Sequence, residues 1–139
     1  YKAIRMSTDP SSPPVLPESA PAASVDKTVA ILSYVTLIGF IVALVLNSGD
    51  KKNRLGCFHL RQALGLFLVH FVGMVALIAV SLILPGFLGR IVGLGSNLFT
   101  LGMLILFVLG LIDAINGREK PVPVVGELIQ QKLSGAFAS

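Results

Sequence analysis

Residues 56–84, GCFHLRQALGLFLVHFVGMVALIAVSLIL, decide what kind of protein this is. From Gln62 onward the stretch holds no Asp, Glu, Lys or Arg, and charge stays absent through Gly89 apart from the titratable His70. A helix of about 20 apolar residues crosses the hydrocarbon core of a bilayer, and residues 62–84 meet that length. Directly before them stand His59, Arg61 and Gln62. Polar side chains at the mouth of an apolar span lie at the membrane boundary, where they can clamp a neighbouring helix, meet lipid phosphates or face a partner.

Two more stretches, residues 28–49 and 91–112, are also free of charge. Of 139 residues, 54% are hydrophobic and 13% charged, against about 25% charged in ordinary soluble domains. A domain this small has too much surface to hide so much apolar material from water. The sequence therefore predicts an all-α membrane protein. Its single helical membrane domain covers residues 26–133, with transmembrane helices at about 28–47, 62–84 and 97–115. Residues 85–95, PGFLGRIVGLG, read as an interfacial turn, with a partly re-entrant loop as the alternative, because Pro85 and Gly86 stop a helix. Gly89 and Gly93 fit the GxxxG pattern but fall in that expected turn, which speaks against a dimer through them. Gly39/Ala43 and Gly110/Ala114 are pairs of small residues four apart, spaced for close helix approach. Asp26 is placed to cap the first helix.

Both ends differ from the middle. Residues 7–24 contain five of the eight prolines and almost nothing large and apolar. The tail, residues 1–25, is therefore expected to be disordered or extended. Met6 reads as a natural start, with YKAIR upstream of it. The first apolar run has spanning length and follows a long tail, so it reads as a retained helix and not as a cleaved signal peptide. Near the other end, Val124, Val125, Leu128, Ile129 and Leu133 recur at near-helical spacing among Glu127, Gln130, Gln131 and Lys132. They predict a short amphipathic helix on the membrane surface over residues 123–133, before a C-terminal end at 134–139.

The net charge of +4 fits orientation and anionic headgroups. No Lys/Arg cluster is interleaved with aromatic residues, so no nucleic-acid partner is expected. Lys51, Lys52, Arg54, Arg118 and Lys120 are the expected headgroup contacts. The bias of Lys and Arg toward cytoplasmic loops places the loop around residues 48–61 and the C-terminus in the cytoplasm. With three spans, the N-terminus then lies outside.

That topology brings the start of the second span and the end of the third to one side. His59, Arg61, Gln62 and Asp113 then form a polar cluster for structure or partner contact. An aspartate ending an apolar run is costly unless paired or wet, so Arg61 is its expected partner, with His59 second. His59 and Gln62 share a helix face and Arg61 points elsewhere. A proton or ion relay through His59, Asp113 and His70 is the alternative, weakened by the lack of a second intramembrane acid.

No signature of catalysis is visible. No His/Cys/Asp/Glu spacing suits a metal, no serine sits in a nucleophile elbow, and GLGSN (93–97) lacks the lysine and preceding strand of a phosphate loop. No catalytic residue, cofactor or metal is expected. Cys57 excludes an internal disulfide and reads as an interfacial thiol, with palmitoylation as the alternative.

The residues also form a recognisable pattern. DKTVAILSYVTLIGFIVALVL, FHLRQALGL after a basic loop, and AINGREKPVPVVGELIQ resemble bacterial relatives of the twenty-kilodalton Tic component, the chloroplast inner-envelope import subunit. The resemblance covers roughly residues 26–133. Its most specific part is FHxxQ (Phe58, His59, Gln62), followed by GREKPVPVVGE. It implies a small membrane protein of the bacterial cytoplasmic membrane, belonging to a larger complex or an import-like system, and supplies no catalytic residue. The chloroplast protein is usually drawn with four helices where three are read here, which weakens a channel. The expected function is a non-catalytic integral membrane protein, an accessory or scaffold subunit whose partners are the lipid bilayer and other membrane subunits. The alternative is an oligomeric channel or transporter component. It needs a polar stripe along a span, and Ser33, Tyr34, Thr36, His70, Ser81, Asn97 and Thr100 do not form a continuous one.

Overall fold

The computed structural model describes residues 23–84 and 86–137. Most of the expected tail, Pro85, and the side chains of Asp26 and Lys51 lie outside the described residues. Among those described, every regular element is helical. The order is α1 (Ala23–Val35), α2 (Leu37–Leu46), a short 3-10 turn (Gly49–Lys51), α3 (Arg54–Ile83), α4 (Gly86–Ile115) and α5 (Gly126–Lys132).

Two helices, α3 and α4, are long and apolar enough to cross a membrane. At 30 residues each they run about 45 Å, more than a hydrocarbon core of about 30 Å. They form an antiparallel hairpin. Gly86, at φ 55, supplies the left-handed backbone where α4 begins. The expected turn at 85–95 is therefore corrected: residues 86–95 are the first turns of α4. An uninterrupted apolar stretch continues the helix once Gly86 has made the corner. The second span likewise starts earlier than expected, at Arg54, because Asn53 caps it by accepting from the Gly56 amide at 2.5 Å.

The first expected span is not one helix. Thr36 is extended (φ −157, ψ 168), and its hydroxyl accepts from the Gly39 amide at 2.9 Å, capping α2. A threonine oxygen competes with the helical ladder in this way. The chain then folds back. A Cβ at Gly39 would lie 2.7 Å from the Leu32 carbonyl oxygen, so the reversal needs a glycine there. A continuous helix would separate Val29 from Asn47 by about 27 Å. Instead both border Gly56, each within 2.8 Å of where its Cβ would stand. α1 and α2, of 13 and 10 residues, reach only about 20 and 15 Å, too short to span. They form a half-depth hairpin packed against α3 and α4.

The topology changes with it. Lys27 lies against Gly117, its Cε 3.0 Å from where a Cβ would stand. The start of α1 and the end of α4 therefore share one end of the molecule. The described chain gives no support to the opposite placement of the two ends expected from three spans, because Lys27 and Gly117 lie together.

The core sits at this shared end. The buried residues of α3 all lie between Gly56 and Leu66, and those of α4 are Met103, Gly110 and Ala114. Beyond them the α3–α4 hairpin exposes apolar side chains on every side, with Leu82 at 82%, Ile83 at 80% and Phe87 at 74%. Contiguous apolar surface on that scale does not stay in water on a monomeric protein. Gly73 lets the Phe99 ring close onto α3, and His70 stacks on the same ring with centroids 5.8 Å apart.

Candidate functional site

The polar groups of the shared end form a staple between helices. Asn47, ending α2, accepts from the Asn53 amide (3.1 Å) and donates through Nδ2 to the Cys57 sulfur (3.2 Å). Cys57 is completely buried, which speaks against the palmitoylation named as the alternative to a plain thiol. The Asn47 amide covers the sulfur.

One turn on, His59 and Gln62 face inward with no exposed surface. Four hydrogen bonds run through them. His59 Nε2 meets the Arg118 carbonyl at 3.0 Å, and His59 Nδ1 meets the Tyr34 hydroxyl at 3.1 Å. Gln62 Nε2 donates to the Tyr34 oxygen at 2.9 Å, and the Val122 amide donates to Gln62 Oε1 at 3.1 Å. A carbonyl can only accept, so Nε2 of His59 carries its proton. With neutral His59, Nδ1 then accepts the Tyr34 proton, which leaves the Tyr34 oxygen to accept from Gln62. Each of the four bonds then runs from a donor to an acceptor. A buried network bonded this way favours one arrangement of the three segments.

Local sequence delivers the partners. α4 ends with Gly117 at φ 67, whose amide reaches the Ala114 carbonyl (3.0 Å) while Arg118 reaches that of Asp113 (2.8 Å). This paired closure with a left-handed glycine reverses the chain and turns the Arg118 carbonyl toward His59. In Pro121-Val122-Pro123 only Val122 has an N–H, because proline has none. Gln62 takes that single donor. Pro123, Val124 and Val125 then form a γ-turn, with Val125 N–H on Pro123 C=O at 2.9 Å and Val124 at φ 71. A β-branched residue is strained there, and Val124 is 96% exposed.

α5 packs on α3 and is not a free surface helix. Ile129 occupies the space above Gly65, where any Cβ would overlap it. Gln130 donates to the Phe58 carbonyl at 3.0 Å. Ile129 is buried, Val125 and Leu133 pack against the core, and Leu128 stays 56% exposed. The helix is shorter than the expected 123–133 because the γ-turn takes its first residues.

The expected four-residue cluster divides. His59 and Gln62 meet in the network, whereas Arg61 and Asp113 do not pair. Arg61 Nε bonds the Cys57 carbonyl (3.3 Å) and its Nη1 the Ser134 carbonyl (3.2 Å). On a helix Arg61 points about 100° away from Gln62, toward the returning C-terminal segment. Asp113 instead lines a cleft with Leu109, Lys120 and Pro121, within electrostatic reach of Tyr34 and His59. Of the expected headgroup contacts, Lys52, Arg118 and Lys120 are exposed. Arg54, its side chain 85% exposed, pairs with Glu119 at 2.9 Å, an interaction of about 0–1 kcal/mol at a surface.

The relay through His70 lacks a path. His70 lies 11 residues beyond His59, about 16 Å along α3, and its buried Nδ1 has no hydrogen-bond partner. Among the described residues no three His, Cys, Asp or Glu side chains converge to hold a metal. Tyr34 and Val122 are the site residues least visible in the sequence. Tyr34 carried one signal, a phenol inside an apolar run, which needs a partner when buried. Compared with protein-family models, with curated proteins and with solved structures, the chain matches none.

Proposed function

We propose that this chain is a non-catalytic integral membrane protein that serves as an accessory or scaffold subunit of a larger complex in a bacterial cytoplasmic membrane. The observation that carries this reading is the segregation of the molecule. His59, Gln62 and Tyr34 bond to one another and to the backbone at one end, while the distal α3–α4 hairpin presents a predominantly apolar surface. Such a hairpin is matched to lipid and to other helices. Lys27, Lys52, Arg54, Arg118 and Lys120 gather at the shared end, with Arg90 near the opposite corner. The positive-inside bias then favours a cytoplasmic shared end. The likeness of FHxxQ and GREKPVPVVGE to the bacterial relatives of the twenty-kilodalton Tic component supports membership of a complex.

The second reading is an oligomeric channel component. It is favoured by the half-depth α1–α2 hairpin with its extended Thr36, since non-helical backbone at membrane depth is tolerated where it is buried in protein or lines a wet cavity. Purification from native membranes in mild detergent separates the two. Scaffold function expects stoichiometric co-migrating subunits and no solute flux in liposomes. A chain that migrates alone and conducts ions or peptides sinks the scaffold reading.

A further inference from the structure

We propose that the exposed face of α4 centred on Asn97 joins two copies of this chain within the bilayer. The inference deepens the scaffold reading and rests on its membrane placement. Asn97 is exposed and lies 11 residues from Gly86, about 16 Å from the corner of the hairpin. That is near the middle of a hydrocarbon core of about 30 Å. The neighbouring contacts fix the same depth on α3: Phe99 stacks on His70, and Thr100 Oγ1 lies 3.6 Å from Met74 Sδ.

The Asn97 amide is only partly satisfied. Nδ2 donates to the Gly93 carbonyl at a long 3.3 Å, and that carbonyl already accepts from Ser96 Oγ at 2.7 Å. Oδ1 and the second N–H face outward without a partner in the described chain. Lipid tails offer neither donor nor acceptor, and a polar group in hydrocarbon costs free energy until it is bonded. Lipid esters and phosphates lie about 15 Å away at the interfaces, beyond the reach of this short side chain.

A carboxamide is both donor and acceptor, which makes it complementary to itself. Around a two-fold axis beside Asn97, each Oδ1 accepts the Nδ2–H of the other copy, as an isologous interface requires. The backbone permits the approach. A Cβ at Gly93 would meet nothing within 4 Å, leaving a notch one turn from Asn97, and small residues let membrane helices close together. Leu94 and Leu101, at 71% and 53% exposure, flank the amide on the same face. No acidic residue stands on the distal hairpin for Arg90 to pair with across the axis, so the amide contact carries the recognition.

The test uses Cys57→Ser chains in native membranes under mild oxidation. Leu101→Cys, beside the intact Asn97, is expected to form a disulfide-linked dimer of twice the chain mass. Adding Asn97→Leu lowers the cross-linked fraction by about fivefold to tenfold, and Asn97→Gln retains it. Gly102→Cys, about 100° further round α4 with open space around it, stays monomeric. A membrane-retained Leu101→Cys chain that remains monomeric overturns the pairing. So does one that links to a different protein, or one that Asn97→Leu leaves unchanged. Release of the chain by alkaline carbonate overturns the membrane placement itself and the pairing with it.

Discussion

Gln62 holds the Val122 amide at 3.1 Å across 60 residues of sequence. With its other end the same carboxamide donates to Tyr34 at 2.9 Å. One side chain on α3 thus fastens the half-depth hairpin and the returning C-terminal segment together.

Gln62→Leu leaves the Val122 N–H unbonded and removes a donor from Tyr34. A buried unsatisfied group costs about 1–3 kcal/mol, so the variant is expected to lose about 2–4 kcal/mol. Thermal unfolding in detergent reads the loss. Tyr34→Phe removes the bridge between His59 and Gln62, and combined with Gln62→Leu it is expected to cost less than the two singles together, because they break one network. Strictly additive losses would show that the network is not a unit.

Gly65→Val drives a branched side chain into the space of Ile129. α5 is expected to detach, and trypsin to cut at Lys132 much faster, with α3–α4 intact. Ile129→Ala in the same chain restores protection by vacating the space. Unchanged proteolysis of the single variant would mean that α5 does not rest on Gly65.

Arg61→Ala and Asp113→Ala are expected to add within about 0.5 kcal/mol, as independent sites do. Arg61 spends its bonds on the Cys57 and Ser134 carbonyls, and Asp113 lies in a separate cleft. A coupling energy above about 1 kcal/mol would revive the salt bridge expected from sequence.

Val124→Gly relieves a left-handed backbone at a branched residue whose side chain is 96% exposed. The change is expected to be neutral or stabilising by up to about 1 kcal/mol, against the usual direction for glycine. A clear fall in the unfolding temperature would show that Val124 makes a contact that matters.

On the proposed membrane placement, the hairpin puts both of its ends on one side. In the Cys57→Ser background, an impermeant maleimide is expected to label Lys27→Cys and Ser48→Cys from the same side. Labelling from opposite sides would restore a spanning first helix.

Much of the fold was legible because apolar length is a one-dimensional property. Residues 62–84 announced a long apolar helix whatever their neighbours. The breaking of residues 28–47 was not legible, since Thr36 acts only in concert with Gly39, and the fold-back depends on α3 receiving both halves. His59 and Gln62 could be placed on one face by their spacing of three. Their partners could not, because Arg118 and Val122 contribute backbone atoms, which every residue carries and no side-chain pattern reveals. The Arg61–Asp113 pairing followed charge, whereas the direction of Arg61, away from the His59–Gln62 face, leads to the Ser134 carbonyl.

The half-depth hairpin also bears on how the chain enters a bilayer. On the proposed membrane placement its two short helices return to the side they left, so the strip around Leu84 and Gly86 is the part of the described chain that crosses. Arg90 is the nearest full charge to that strip. On the proposed placement, insertion pushes one apolar elbow through the lipid with Arg90 beside it, and α1 and α2 settle against α3 and α4.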